Sequence, residues 1–163
     1  MKIRPLRQAD APFLCSIFND NIEYYEIFFD SCDSAEEWEK RVRCFLNQNV
    51  VRHFVMEADG EKIGWLSYLD TAPAERELGI LVVIRENLGR GYGAESLSWL
   101  IEQSRADGMR NLLLNVNQSN TRAIRFYQKF GFKIFGEEII PQCNEAVNLA
   151  QYNMKLSLLE AST

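Results

Sequence analysis

Residues 86–101, ENLGRGYGAESLSWLI, place Gly89, Gly91 and Gly93 within five positions and then continue as a helix. Glycines this close together leave backbone N–H groups bare and let an anion come near them. A helix that starts just behind them aims the positive end of its dipole at the same point. The chemistry that suits such a run is the cradling of a phosphate. A second chemically loaded stretch is residues 20–39, DNIEYYEIFFDSCDSAEEWE, with eight acids, no base, and Tyr24, Tyr25, Phe28 and Phe29 interleaved. It attracts cations, and its rings could pack an alkyl chain or stack an ammonium group. It reads equally as a solvated acidic helix start with core aromatics. The four cysteines, Cys15, Cys32, Cys44 and Cys143, form no CxxC pair, and His53 is the only histidine. That pattern argues against a zinc site and for free thiols in a reducing, cytoplasmic setting. His53 precedes a strand and carries no motif, so a structural role is expected.

Composition narrows the frame. The 163 residues are 47% hydrophobic and 25% charged, which suits one globular domain over 1–163. A net charge of −5 argues against a nucleic-acid partner. At the N-terminus, Asp10 and Pro12 interrupt any apolar run, so no signal peptide is expected. No apolar stretch reaches spanning length, so no membrane partner is expected either.

Turn and cap signals outline the elements that would position the glycine run. KIRPLR alternates apolar and basic residues, and Pro5 restricts it to a sheet edge. Asp10 and Pro12 signal a helix start. A second helix follows Ser34, an N-cap with Glu37 as its capping-box partner. RHFVMEA and EKIGWLSYL flank Asp59-Gly60 as a hairpin. RELGILVVI is an apolar strand whose unbroken run suggests burial on both faces. The helix behind the glycines sets Ala94, Leu97, Ile101 and Ser104 on one stripe, and Gly108 ends it. RNLLLNVN is a strand, and SNTRAIRFYQKF is a helix capped by Asn120 or Ser119 and stopped by Gly131. FKIFGEEII and NLAQYNMKLSL are the last two strands. The order is β-αα-βββ-α-β-α-ββ. Its strand–loop–helix–strand unit requires one parallel pair, and the hairpin connections make the rest of the sheet mixed. The expected fold is α/β (α+β), with a mostly antiparallel central sheet, a βαβ crossover and helices on both faces.

Two owners of a glycine loop fit poorly. Gly89, Gly91 and Ala94 satisfy G-x-G-x-x-A, but IREN and Leu88 separate them from the Val82-Val83 strand. The strand beyond the helix ends in LLLNVN, without the acid that would hold ribose hydroxyls. A P-loop needs Gly-Lys-Ser/Thr, which the chain lacks.

The run LGILVVIRENLGRGYGAESL, followed by LLLNVNQSNTRAIRFYQKFGFK, resembles the GCN5-related N-acetyltransferases. Their pattern is a strand, a spacer and Gln/Arg-x-x-Gly-x-Gly/Ala, then Asn-x-x-Ala-x-x-x-Tyr-x-x-x-Gly-Phe. Here these positions are Leu88 to Gly93, and Asn120, Ala123, Tyr127, Gly131 and Phe132. The order of elements is also the family's. Leu88 departs from the usual Gln or Arg, and Arg85 stands where many members have Pro.

What the resemblance implies is acetyl-coenzyme A as co-substrate, with no metal. Its pyrophosphate would lie on N–H groups from Leu88, Gly89, Arg90, Gly91, Tyr92, Gly93 and Ala94. Arg90 and Arg85 either add charge there or are solvated surface. The pantetheine arm would pair with Leu81, Val82 and Val83, whose N–H groups could polarise the thioester carbonyl. Asn120 would bond pantetheine amides, cap its helix, or do both, and Lys129 joins the cofactor-binding set. Tyr127 is implied as the general acid for the leaving thiolate; the competing role is a core aromatic beside Phe126 and Phe130. Glu77 is one candidate to arrange deprotonation of the acceptor, against Asp70 and Glu75. No cysteine sits where a covalent nucleophile would be needed, so direct transfer in a ternary complex is expected.

The resemblance is nearest to spermidine and ribosomal-protein N-terminal acetyltransferases. A polyamine or other small cationic amine leads as acceptor. A protein N-terminus, an aminoglycoside, or a silent acyl-coenzyme A sensor stay open, and a homodimer is compatible with all of them.

Overall fold

Pro5 has no N–H to give a sheet ladder, and it closes β1 (Lys2–Pro5), a strand with a neighbour on one side only. The computed structural model describes residues 1–20, 34–140 and 149–159. Most of the acidic, aromatic stretch, with Tyr24, Tyr25, Phe28, Phe29 and Cys32, lies outside the described residues, as does Cys143. After β1 come α1 (Ala11–Asp20), α2 (Ala35–Asn47), β2 (Val51–Ala58), β3 (Glu61–Ala72), β4 (Glu75–Val83), α3 (Tyr92–Ala106), β5 (Asn111–Asn117), α4 (Thr121–Lys129), β6 (Lys133–Ile140) and β7 (Leu149–Ser157). Among the described residues this is the expected order.

The seven strands hydrogen-bond in the order β1-β2-β3-β4-β5-β7-β6. The β1–β2, β2–β3, β5–β7 and β6–β7 pairs are antiparallel, and β4–β5 is parallel across the α3 crossover. That parallel register runs from Glu75↔Asn111 to Leu78↔Leu114, and both strands continue past it. Among the described residues, no helix is long and apolar enough to cross a membrane.

The chain packs as two compact units, Met1–Leu69 with Ile80–Trp99, and Asp70–Gly79 with Leu100–Thr163. In the first, Leu14, Ile17 and Phe18 of α1 and Trp38 and Val42 of α2 bury against Val55 and Trp65, which face each other across β2 and β3. The opposite side of the same strands takes α3: the Phe54 ring meets Trp99 at 5.1 Å, and Ser96 Oγ lies 2.7 Å from Met56 Sδ. Helices therefore cover both faces. In the second unit Leu112, Leu114, Val116 and Met154 are buried at alternate strand positions, as period-two patterning demands.

Local signals act as their chemistry requires. Asp59 and Gly60 both take positive φ, 53° and 83°, the backbone of a two-residue hairpin turn. Ser34 Oγ accepts from the Glu37 N–H at 3.1 Å as expected of an N-cap, but the reciprocal half of the expected capping box is not seen among the described residues: the Glu37 carboxylate accepts from Lys40 instead. Gly108 (φ 76°) and Gly131 (φ 92°) end α3 and α4, with Met109 N–H bonded to Ser104 O and Phe132 N–H to Tyr127 O.

Asp10 serves a different end from the one expected. It does signal the start of α1, but its buried carboxylate takes Arg4 at 2.8 and 2.9 Å, Lys62 at 2.8 Å and the Arg7 N–H at 2.8 Å. Burial alone would push this carboxyl up; the Arg4, Lys62 and Arg7 donors override it and hold it well below the usual carboxylate range. The stabilisation is thus complete above the unfolded value of about 3.9 and is lost as pH falls below it. Asp10→Asn leaves Lys62 and half of Arg4's contacts uncompensated, so a loss of about 3 kcal/mol is expected in urea denaturation at pH 7. An unchanged midpoint would show that the cluster contributes nothing net.

Candidate active site

The glycine turn belongs to the first unit. Behind β4, Ile84 donates to Ile63 O at 2.9 Å, and a single 3-10 turn over Arg85–Asn87 follows. Gly89 and Gly91 then take φ of +78° and +85°, the left-handed region that side-chain residues avoid. A Cβ at either position would meet nothing within 4 Å. The demand for glycine is therefore conformational, and the space before the turn is open. The first helical bond of α3 runs from Glu95 N–H to Gly91 O at 3.0 Å. The N–H groups of Tyr92, Gly93 and Ala94 precede it and have no intrahelical acceptor. With the dipole behind them they form an anion-facing end. The Leu88 N–H is engaged in the 3-10 turn, donating to Arg85 O at 3.2 Å, and its side chain is exposed. Arg85 and Arg90 are exposed on the same loop.

The strand leading into the turn corrects one expectation. Leu81, Val82 and Val83 are half-buried, where the unbroken apolar run had suggested sealing on both faces. Val82 packs on the α1–α2 cluster. Apolar length alone does not show whether a strand is covered along its whole run.

The second unit holds the remaining candidates. Asn120 caps α4, its Oδ1 accepting from the Ala123 N–H at 3.1 Å, so the capping role is real and the side-chain amide remains a donor. Two turns on, Tyr127 is half-buried, its ring edge-on to Phe126 (5.2 Å) and Phe132 (5.7 Å). Lys129 is exposed in the last turn, where its charge suits the helix dipole.

Three carboxylates competed for the role of base, and their partners separate them. Asp70 is engaged by the buried Arg76 guanidinium at 2.7 Å, which also reaches Asp107 at 2.9 Å. Glu75 accepts from Asn111 Nδ2 at 3.1 Å. Glu77, half-buried, accepts from Asn115 Nδ2 at 3.3 Å and has no cation among its described partners. Burial pushes the Glu77 carboxyl up, and the charge of Glu138 adds to the shift. Glu77 therefore takes a proton more readily than an ordinary glutamate.

His53 is structural as expected: it accepts from Trp65 Nε1 at 3.3 Å and stacks on Phe45 at 4.3 Å. Burial lowers its pKa to about 4, so the ring is neutral at pH 7. Sequence reading missed the buried Arg76, and it missed Gln151 and Asn153 of β7, which share the sheet face of Glu77. Alternation puts those two on one face, but which neighbours they meet depends on a register the sequence does not display.

Comparison with known proteins bears on the same residues. A family model described as "Acetyltransferase (GNAT) family" matches residues 14–132. An L-methionine sulfoximine/L-methionine sulfone acetyltransferase of Pseudomonas aeruginosa is 28% identical over 152 residues, covering 88% of this chain and 85% of its own length. The spermidine N(1)-acetyltransferase of Escherichia coli K12 is 25% identical over 146 residues, covering 84% and 75%. A crystal structure of spermidine N-acetyltransferase from Vibrio cholerae, in complex with CoA and spermine, matches with a TM-score of 0.81 at 19% identity, over 96% of this chain and 95% of that one. At that identity the likeness speaks for the fold.

Proposed function

Since the chain belongs to the GNAT acetyltransferase family and is an acyl-CoA-dependent N-acetyltransferase with acetyl-CoA as co-substrate, we propose that it acetylates a small cationic amine, a polyamine above all, by direct attack. Residues 1–163 would work as one acetyltransferase domain. The observation that carries this reading is Glu77, a half-buried carboxylate with a raised pKa and an amide partner in place of a cation. The glycine turn supplies N–H donors for the pyrophosphate, with Arg85, Arg90 and Lys129 adding charge. Leu81, Val82 and Val83 offer backbone pairing to the pantetheine arm, and Asn120 its amide. Glu77 first takes a proton from the acceptor ammonium through water, which frees the nitrogen lone pair. The amine nitrogen attacks the thioester carbon, forming C–N. The C–S bond then breaks, and the sulfur takes the Tyr127 hydroxyl proton; the second nitrogen proton leaves as the amide forms and restores the tyrosine through solvent. Cys44 is an exposed thiol, which supports the cytosol as the place of action.

Release of coenzyme A across spermidine, spermine, methionine sulfoximine and a ribosomal-protein N-terminal peptide tests the acceptor. Spermidine or spermine should turn over fastest; a preference for the peptide would favour the alternative acceptor, a protein N-terminus. No turnover with any amine would leave an acyl-CoA sensor. The rate should fall as pH drops through the raised Glu77 pKa, because only the carboxylate can take the proton. In Glu77→Gln this acid limb should vanish, with kcat down at least about tenfold. An unchanged limb would pass the role to another group.

A further inference from the structure

One face of the second unit's sheet collects, around Glu77, further acceptor atoms that the proposed catalytic steps do not use. The registers Asn115↔Asn153 and Glu138↔Gln151, with the Asn115–Glu77 hydrogen bond, set Glu77, Asn115, Asn153, Gln151 and Glu138 on that face. Asn153 Oδ1 is buried and accepts no hydrogen bond among the described residues. Gln151 is 4% exposed and has no side-chain hydrogen bond among the described residues. A buried polar atom without a partner is costly, of the order of 1–3 kcal/mol. Proteins tolerate such atoms where something outside the chain completes them. Opposite Asn153 the β6 strand bulges between Ile134 and Gly136, and a Cβ at Gly136 would lie 3.8 Å from the Asn153 Cβ. Glycine there keeps that side of Asn153 clear of a side chain.

A donor-rich ligand suits the set, because among the described residues it offers two carboxylates, one of them partnered only by Asn115, and the Asn153 carbonyl oxygen, which has no donor. The Asn153 and Gln151 amide groups add N–H donors beside them. The basic residues that share the face on neighbouring pairs are Lys133 and Lys155, the latter turned onto the Phe135 ring at 5.1 Å. We propose that Asn153 and Gln151, with Glu77 and Glu138, form the subsite that holds the N–H groups of the acceptor, and so select an amine with several ammonium groups over an amino-acid-type acceptor. This rests on the acetyltransferase reading above. An amino-acid acceptor brings a carboxylate, which Glu77 and Glu138 would repel. A polyamine brings only N–H donors and methylene.

Isothermal titration with spermidine tests the subsite without requiring turnover. Asn153→Leu should weaken spermidine binding about tenfold, the usual loss when a hydrogen bond to a charged donor goes. Asn153→Asp, which keeps an acceptor oxygen and adds charge, should bind at least as tightly as the parent. Acetyl-CoA should raise the melting temperature of both variants, which verifies that they fold. Equal spermidine affinity in the parent and Asn153→Leu would overturn the subsite. It would also be overturned if the parent bound no spermidine yet acetylated methionine sulfoximine; that outcome would leave the acetyltransferase reading standing.

Discussion

Replacing Gly91 with Val is expected to cut acetyl-CoA affinity at least about tenfold while the protein still folds. At φ +85° a side-chain residue costs roughly 1–2 kcal/mol relative to glycine, and β-branched Val stands at the unfavourable end. Nothing lies within 4 Å of the added Cβ, so crowding inside the protein does not enter. Two outcomes remain for the turn. It can flip to negative φ, which re-aims the N–H groups at the start of α3. It can also hold its shape and stand an isopropyl group in the open space before them. Either spoils the approach of a phosphate. The helix behind it is secured by Leu97 and Leu100, both fully buried, so the damage stays local. Calorimetry should show the loss directly. In thermal unfolding, acetyl-CoA at a concentration near the parent's Kd should raise the parent's midpoint and leave the variant's nearly unmoved, with NAD shifting neither. Full affinity in the variant would remove the turn from the cofactor site.

The parts of this fold that were legible in the sequence are those a few adjacent residues decide. Asp59-Gly60 makes its turn because both residues tolerate positive φ, and Asn120 caps α4 because its side chain reaches the N–H three residues on. Pro5 marks an edge because it cannot donate. The glycine turn belongs to the same class: its two left-handed residues and the helix start behind them lie within a handful of positions. Long-range partners were not legible. Asp10 looks like a helix-start residue until folding brings Arg4 and Lys62 to it. Arg76 sits inside an apparently apolar strand and is 1% exposed because Asp70 and Asp107 neutralise it. No spacing rule connects positions 70, 76 and 107.

The same distinction governs the candidate site. Glu77, Asp70 and Glu75 are alike as sequence: three acids around one strand start. They part only when each acquires a partner, a guanidinium for Asp70, and amides for Glu75 and Glu77. Glu77, desolvated and near Glu138, has its carboxyl pKa pushed up. Asn153 shows the limit from the opposite side. Its role depends on pairing with β5 and β6 at once, through a bulge that shifts the β6 register by one residue. A one-residue slip would turn the side chain to the other face.

Replacing Tyr127 with Phe removes one oxygen and tests the proton donor directly. Phe keeps the ring and with it the edge-on contacts to Phe126 and Phe132. Loss of the hydroxyl and any hydrogen bond it makes should cost no more than about 1.5 kcal/mol of stability. Affinity for acetyl-CoA and for the acceptor should hardly change, because the proposed task of the hydroxyl begins only as the C–S bond breaks. A phenol hydroxyl can give its proton to the thiolate as the C–S bond breaks. General acid catalysis contributes roughly 10²–10⁴-fold. With water substituting in part, kcat should fall at least about tenfold, with KM nearly constant, the signature of an interaction made only in the transition state. A packing role predicts the reverse: normal turnover in Tyr127→Phe, with damage confined to Tyr127→Ala and visible as lost stability. Single-turnover measurements separate the chemical step from coenzyme A release. If Tyr127→Phe forms product at the parent's single-turnover rate, the proton comes from elsewhere, and Tyr127 is an aromatic of the α4 core.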